Sequence, residues 1–345
     1  MDLTLGPEQE AVRDSIRGVL GARLPLARVR AVVAAPPGLD AEVWRVAGEL
    51  GWFGLALPES AGGAGYGLPE AALLFIELGR SLAPGPWLGT VLAAQALAAA
   101  PGLASVHGGI LGGRERVAVI DDPADALGAG DRLTGLAGNL ADAGAASGLL
   151  VLGATAVRYV ATGAPGVRLT ERASMDPTRR IGHAIFEQAP TSPLGADAAR
   201  LRQMGTVLVA AEAVGVAERT LEASVEYAKV RQQFGRPIGA FQAVKHRCAD
   251  MAVRAEMARA AVLFAAVAAR DGEGDAQFHV RVAKLLATGA ALANATDNVQ
   301  NHGGMGYTWE ADAHLYLKRA HLLEHTFGTR TAHLDALAAP WRAAR

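Results

Sequence analysis

Cys248 is the only cysteine in the 345 residues. An internal disulfide and a thiolate metal site are therefore excluded, and the thiol, on a helical stretch, reads as a small apolar filler. An excess of charge of one sign is also missing. Thirty-three Lys and Arg stand against 34 Asp and Glu, for a formal net charge of −1, which leaves no electrostatic case for nucleic acid beyond local basic sites. Long unbroken apolar runs are lacking as well. The least charged stretch, residues 87 to 105, is interrupted by Gln95 and Pro101 and is rich in alanine and glycine, as expected of a core helix rather than a membrane span. Near the start stand Glu8 and Glu10, with no apolar segment that would make a signal peptide, so a cytoplasmic location is expected.

Apolar residues make up 51% and charged residues 19%, the balance of a folded chain with a core of two or three layers. Residues 1 to about 112 read as helices. Leu3, Val12, Ile16, Val19 and Leu20 form a first apolar stripe, and Val43, Val46, Ala47, Leu50, Trp52 and Phe53 a second. Pro58, a glycine cluster and Pro69 mark a loop before a helix expected over Glu70 to Leu82. From 113 to 200 short β-type runs appear (117–120, 148–153, 156–161, 167–169, 185–186) between Gly, Asp and Pro, as in a small barrel or sandwich. From 201 to 345 the chain is helical again.

Two stretches in that last part carry the functional argument. In YAKVRQQFGRPIGAFQAVKHRCADM, residues 227–251, no straight helix accommodates Gly235, Pro237 and Gly239 together. The chain must turn there, making a helical hairpin whose loop presents Arg231, Arg236 and Gln242. Taken alone, such a loop is a helix connection with solvated charges. In VQNHGGMGYTWEADAHLYLKR, residues 299–319, an apolar helix ends in glycines at 303, 304 and 306, and helix is expected to resume near Thr308 with Glu310 in its first turn. Without Cβ atoms, this backbone can lie close to a large flat or phosphorylated partner.

Together the two stretches resemble the C-terminal domain of the acyl-CoA dehydrogenases. The loop PESAGGAG, Pro58 to Gly65, and the helix ending in LGR at Arg80 are similar to that family's first domain. The resemblance covers nearly the whole chain. It implies an α+β fold with a helical domain at 1–112, a reduced middle β-domain at 113–200 and a C-terminal four-helix bundle at 201–345. It also implies FAD as cofactor, an acyl-CoA substrate, electron-transfer flavoprotein as electron acceptor, and an oligomer in which one subunit touches the FAD of another. On that basis Arg231, Phe234 and Gln242 match the residues that meet the pyrophosphate and adenine of FAD, and Gln300, Gly303 and Gly304 match the glycine loop of the same site. No metal is implied. His321 and His325 share a helical face, but no third ligand is placed near them.

Several family features are absent. Where a T-E-x-x-A-G-S-D stretch holds the flavin ring and thioester, residues 119–124 read VIDDPA, and where W-I-T packs on the ring, residues 139–141 read NLA. The glutamate that removes the α-proton would fall at Phe327 or at Gly205, and neither residue can accept a proton. Glu212 lies two helical turns, about 11 Å, beyond Gly205, while Glu324 is one turn before Phe327. Two main readings remain, beside a purely structural partner chain and a relative of the same fold with oxygenase or oxidase chemistry. In one the chain is a self-sufficient homo-oligomeric dehydrogenase with a non-standard base. In the other it resembles the shortened, base-lacking subunit of actinobacterial α2β2 acyl-CoA dehydrogenases, which act on CoA thioesters that include steroid side chains. A full-length homologous subunit would then supply the base and ring site.

Overall fold

A computed structural model describes residues 3–128 and 130–343. Six helices come first: α1 (Pro7–Arg23), α2 (Leu26–Val33), α3 (Ala41–Glu49), α4 (Leu68–Arg80), α5 (Trp87–Leu97) and α6 (Ala104–Leu111). Seven strands follow: β1 (Val117–Asp121), β2 (Arg132–Ala141), β3 (Gly148–Leu152), β4 (Val157–Ala161), β5 (Val167–Arg172), β6 (Ile181–Pro190) and β7 (Ser192–Leu194). The long helix α7 (Ala198–Val230) leads into two short strands, β8 (Gln232–Gln233) and β9 (Arg236–Pro237). Helices α8 (Gln242–Asp271), α9 (Ala276–His302), α10 (Ala313–His325) and α11 (Arg330–Ala343) complete the chain. This is the α+β architecture of a helical N-terminal domain, a small β-domain and a C-terminal helical domain. Among the described residues no helix is long and apolar enough to cross a membrane.

The chain divides into two compact units. One takes the segment up to Gly21, Ala72–Leu82 and everything from Thr206 on; the other takes Ala22–Ala71 and Ala83–Gly205. In the second unit, β1, β3, β4 and β7 form one sheet, with β1 parallel to β3, and β2, β6 and β5 form an antiparallel sheet. Ala118, Ile120, Leu149, Val151 and Val160 of the first sheet pack with Leu133, Ala137, Ala184 and Phe186 of the second, a sandwich with alternate residues turned inward. An aromatic group of Trp44, Phe53 and Trp87 fills the helical part of this unit, with Trp44 and Trp87 centroids 4.4 Å apart. Asp40 starts α3 by accepting from the backbone N–H of Glu42 and Val43 and pairs with Arg28 at 2.7 Å.

In the other unit α7 crosses α4 almost backbone to backbone. A Cβ on Gly79 would stand 2.0 Å from the Glu212 carbonyl oxygen, and one on Gly215 would stand 1.9 Å from that of Ile76. No other residue type fits either position without moving a helix. The interior of this bundle is partly polar: Asn294, Asn298 and Asn301 lie on the buried face of α9. Asn294 Nδ2 donates to the carbonyls of Ala217 and Met251, and so ties α9 to α7 and α8.

Candidate functional site

One end of the bundle gathers the termini of three helices. Helix α7 ends at Val230, and β8 and β9 then pair through a two-residue turn in which Phe234 (φ 53°) and Gly235 (φ 75°) both lie in the left-handed region. Mirror-image turns of this kind match the twist of a hairpin, and glycine accepts that conformation at no steric cost. The expected helix-to-helix connection therefore contains a small β-hairpin. Its tip leaves Phe234 90% exposed, with its ring 6.0 Å from that of Phe241 in an edge contact. Arg236 lies over the Phe241 ring at 4.4 Å. Arg231 is exposed, and among the described residues no group pairs with its guanidinium. Helix α8 then opens at Gln242 without a side-chain cap, so its first N–H groups remain available.

The glycine loop is at the same end. The His302 ring stacks on Tyr227 of α7 with centroids 4.2 Å apart and planes 21° apart, and Arg247 of α8 donates to Asn301 at 2.7 Å. Gln300 is exposed, and its carbonyl accepts from Gly303 N–H at the end of α9. A Cβ added at Gly303 or Gly304 would meet nothing within 4 Å. A Cβ added at Gly306, in contrast, would stand 2.5 Å from the Val299 carbonyl oxygen, because the loop folds back on its helix there. The structure thus brings Arg231, Phe234, Gln242, Gln300, Gly303 and Gly304 to one bundle end. The helix after the loop begins at Ala313 rather than near Thr308, because a 3-10 turn occupies Gly303–Tyr307 and Thr308 is extended.

Both positions that the resemblance assigns to a catalytic glutamate lie in ordered backbone. Gly205 is buried inside α7. Glu212 is committed to Arg319 at 2.7 Å, with the two side chains 4% and 0% exposed. Phe327 sits just past α10 at φ 56°, and its carbonyl accepts from His333 Nε2 at 3.0 Å. The buried Lys284 ammonium donates to the carbonyls of Leu323 (2.9 Å), Glu324 (3.3 Å) and Gly328 (3.5 Å). Burial pushes this ammonium down to about 8, while the nearby Glu324 charge acts the other way; burial also lowers His333. Neither group was singled out from sequence, because both act on carbonyls 40 or so residues away or across a turn. Glu324 is half-buried in the last turn of α10. Among the described residues no cluster of three or more His, Cys, Asp or Glu could hold a metal ion.

In the segments that the resemblance assigns to the flavin ring, both aspartates are used within the fold. Asp121 accepts from Arg202 at 2.7 Å, and Arg202 also donates to the carbonyls of Leu152 and Gly153 at 2.6 Å. Asp122 is turned inward to accept from Ala126 N–H (2.8 Å) and Leu127 N–H (3.0 Å). Asn139, at φ 56°, lies in a bulge of β2 between Ala137 and Leu140 and offers no aromatic wall. The bundle end therefore fits the phosphate and adenosine half of a dinucleotide: a free cation, uncapped N–H groups and an open Cβ-less turn. The β-segments do not fit the ring half.

Two family profiles match this chain, the acyl-CoA dehydrogenase N-terminal domain over residues 6–103 and the C-terminal domain over 199–340. The acyl-CoA dehydrogenase IpdE2 of Mycobacterium tuberculosis is 39% identical over 324 residues, covering 92% of each chain. A chain of the ChsE4–ChsE5 complex from the same organism superposes with a TM-score of 0.89 at 29% identity, covering 99% of both chains. A variant of the Tcur3481–Tcur3483 steroid ACAD superposes with a TM-score of 0.88 at 29% identity, covering 99% of this chain and 100% of that one. With both end domains matched and a curated relative aligned over nine-tenths of its length, the chain belongs to the acyl-CoA dehydrogenase family, oxidoreductases that act on acyl-CoA.

Proposed function

We propose that this chain is the subunit of an FAD-dependent acyl-CoA dehydrogenase assembly that completes the FAD site without supplying the catalytic carboxylate. The base and the ring site belong to a full-length homologous subunit. The observation that carries this reading is a division within the molecule. The bundle end presents Arg231, Gln242 and the Gly303–Gly304 turn to open space, while Gly205, Phe327 and the internally bonded Asp121 and Asp122 occupy the places of base and ring contacts. Similarity to chains of two-component complexes supports it, and the steroid substrate of one neighbour supports a CoA thioester of a steroid side chain as the class acted on.

When bound, FAD supplies the hydride acceptor for α,β-dehydrogenation, with electron-transfer flavoprotein as the onward acceptor. Arg231 would hold a phosphate from this chain. The first N–H groups of α8 and the glycine turn would be further donors to the cofactor, and Phe234 would offer it an exposed apolar ring. Charge-assisted bonds of this kind hold the cofactor without taking part in proton transfer.

The deciding experiment is the visible absorption spectrum and solution mass of the chain purified alone, and again after co-expression with a full-length homologue. A colourless chain that becomes yellow and active only in the mixed complex is the expected result. Yellow protein from this chain alone, bleached by an acyl-CoA, would instead make it a self-sufficient homo-oligomer, with Glu324 the first carboxylate to test as base.

A further inference from the structure

One bound molecule can touch both the hairpin and the glycine turn only if their spacing is held. Beyond the Asn294 tie to Ala217, two rungs nearer this end join the helices that lead to them. The inner rung is buried: Ser224 Oγ donates to Asn298 Oδ1 at 2.9 Å, and both residues are at most 1% exposed. The outer rung is the stack of Tyr227 on His302. Tyr227 is one turn beyond Ser224 and one turn short of Arg231, and His302 is one turn beyond Asn298 and directly precedes Gly303. His302 Nδ1 donates to the Asn298 carbonyl at 2.8 Å, which fixes the tautomer and the plane of the ring. That tether reduces the freedom of the imidazole.

We propose that the Tyr227–His302 stack is the positioning joint of this site, setting the spacing between Arg231 and the Gly303–Gly304 turn so that both meet one nucleotide; this rests on the adenosine-side reading above. Neither ring is a catalytic residue, and both act through the groups next to them. Helix α7 presents the cation and α9 the turn. A rigid contact at their ends lets the two bind as one surface, which lowers the ordering cost on association.

The test uses the full chain, in whichever assembly retains FAD, with Tyr227→Ala, His302→Ala, the double variant and Tyr227→Phe. FAD affinity is read by flavin titration, and amide hydrogen exchange over 303–307 is read without FAD. Each alanine is expected to weaken FAD by about three- to tenfold, the contribution of one aromatic pair. The double variant should be no weaker than the weaker single, since both remove the same contact. Tyr227→Phe keeps the stack and should stay within about twofold of the parent. Exchange over 303–307 should speed up in Tyr227→Ala, although that change lies on α7. Single effects that multiply in the double, or a turn whose exchange ignores Tyr227, would overturn the joint while leaving the cofactor reading intact. Failure of every assembly to bind FAD, with exchange still coupled, would bring down the cofactor reading and the joint's purpose with it.

Discussion

Arg319 and Arg231 show the two ways in which this chain uses charge. Arg319 is 0% exposed, bonded to Glu212 at 2.7 Å and lying 3.4 Å from the Leu82 carbonyl oxygen. Arg231 is exposed at the bundle end, with no partner among the described residues. A buried guanidinium without a partner costs several kcal/mol, so the fold must spend a carboxylate on it. An exposed one costs little to leave alone and stays available to a ligand. The same contrast separates the β-segments from the glycine turn. Asp121 and Asp122 are consumed by Arg202 and by backbone N–H groups, whereas Gly303 and Gly304 face open space. The groups left over are those that suit the adenosine side of FAD.

The contrast is tested hardest by Arg319→Ala. Leaving Glu212 buried without its partner should cost about 3–5 kcal/mol in denaturant unfolding, and a loss below about 1 kcal/mol would place Arg319 among the surface charges. Arg231→Ala should do the opposite. Its melting temperature should match the parent, while FAD retention in the assembled complex weakens by about 1.5–3 kcal/mol for loss of a charged hydrogen bond. Unchanged flavin occupancy in the purified complex would count against this placing of the site.

Asp122→Ala removes the acceptor of two backbone N–H groups and should lower stability by about 1–2 kcal/mol. Flavin occupancy should not change, because the carboxylate faces its own turn; a drop would return the VIDDPA segment to the cofactor site. The smallest effect belongs to Glu222. Burial pushes its carboxyl up, but the Arg80 hydrogen bonds and the charges of Arg80 and Arg219 outweigh this, and the folded value lies below the ordinary 4.5. A depressed carboxylate contributes stability that is present above the unfolded value and lost as pH falls through the folded one. Glu222→Gln should therefore lower stability slightly near neutrality and flatten its fall below about pH 5, where parent and variant converge, with a small amplitude because the pair is 42% exposed on the glutamate side.

Much of the fold can be read from periodicity. The helix expected over 70–82 is α4 at Leu68–Arg80, and the strands expected at 117–120, 148–153 and 156–161 are β1, β3 and β4. Strand β2 could not be read, since Gly135, Gly138 and Asn139 interrupt its alternation and two register shifts kink it. Its pairing with β6 decides that it is a strand. At the bundle end, Arg231 and the glycines stand out in the sequence because residue type and spacing carry the signal. The Tyr227–His302 stack does not, because neither residue is unusual on a helix and only the packing of α7 on α9 brings them together.

The amino-acid order by itself determined the types of α4, β1, β3 and β4, the turn at Gly235, the glycine loop, and the lack of a carboxylate at Gly205 and Phe327. Those properties depend on neighbours a few residues away or on the side chain itself. Tertiary structure alone decided which charges are consumed and which are left over. Glu212 and Arg319 are 107 residues apart in sequence and Asp121 and Arg202 are 81 apart, and desolvation acts on distance in space.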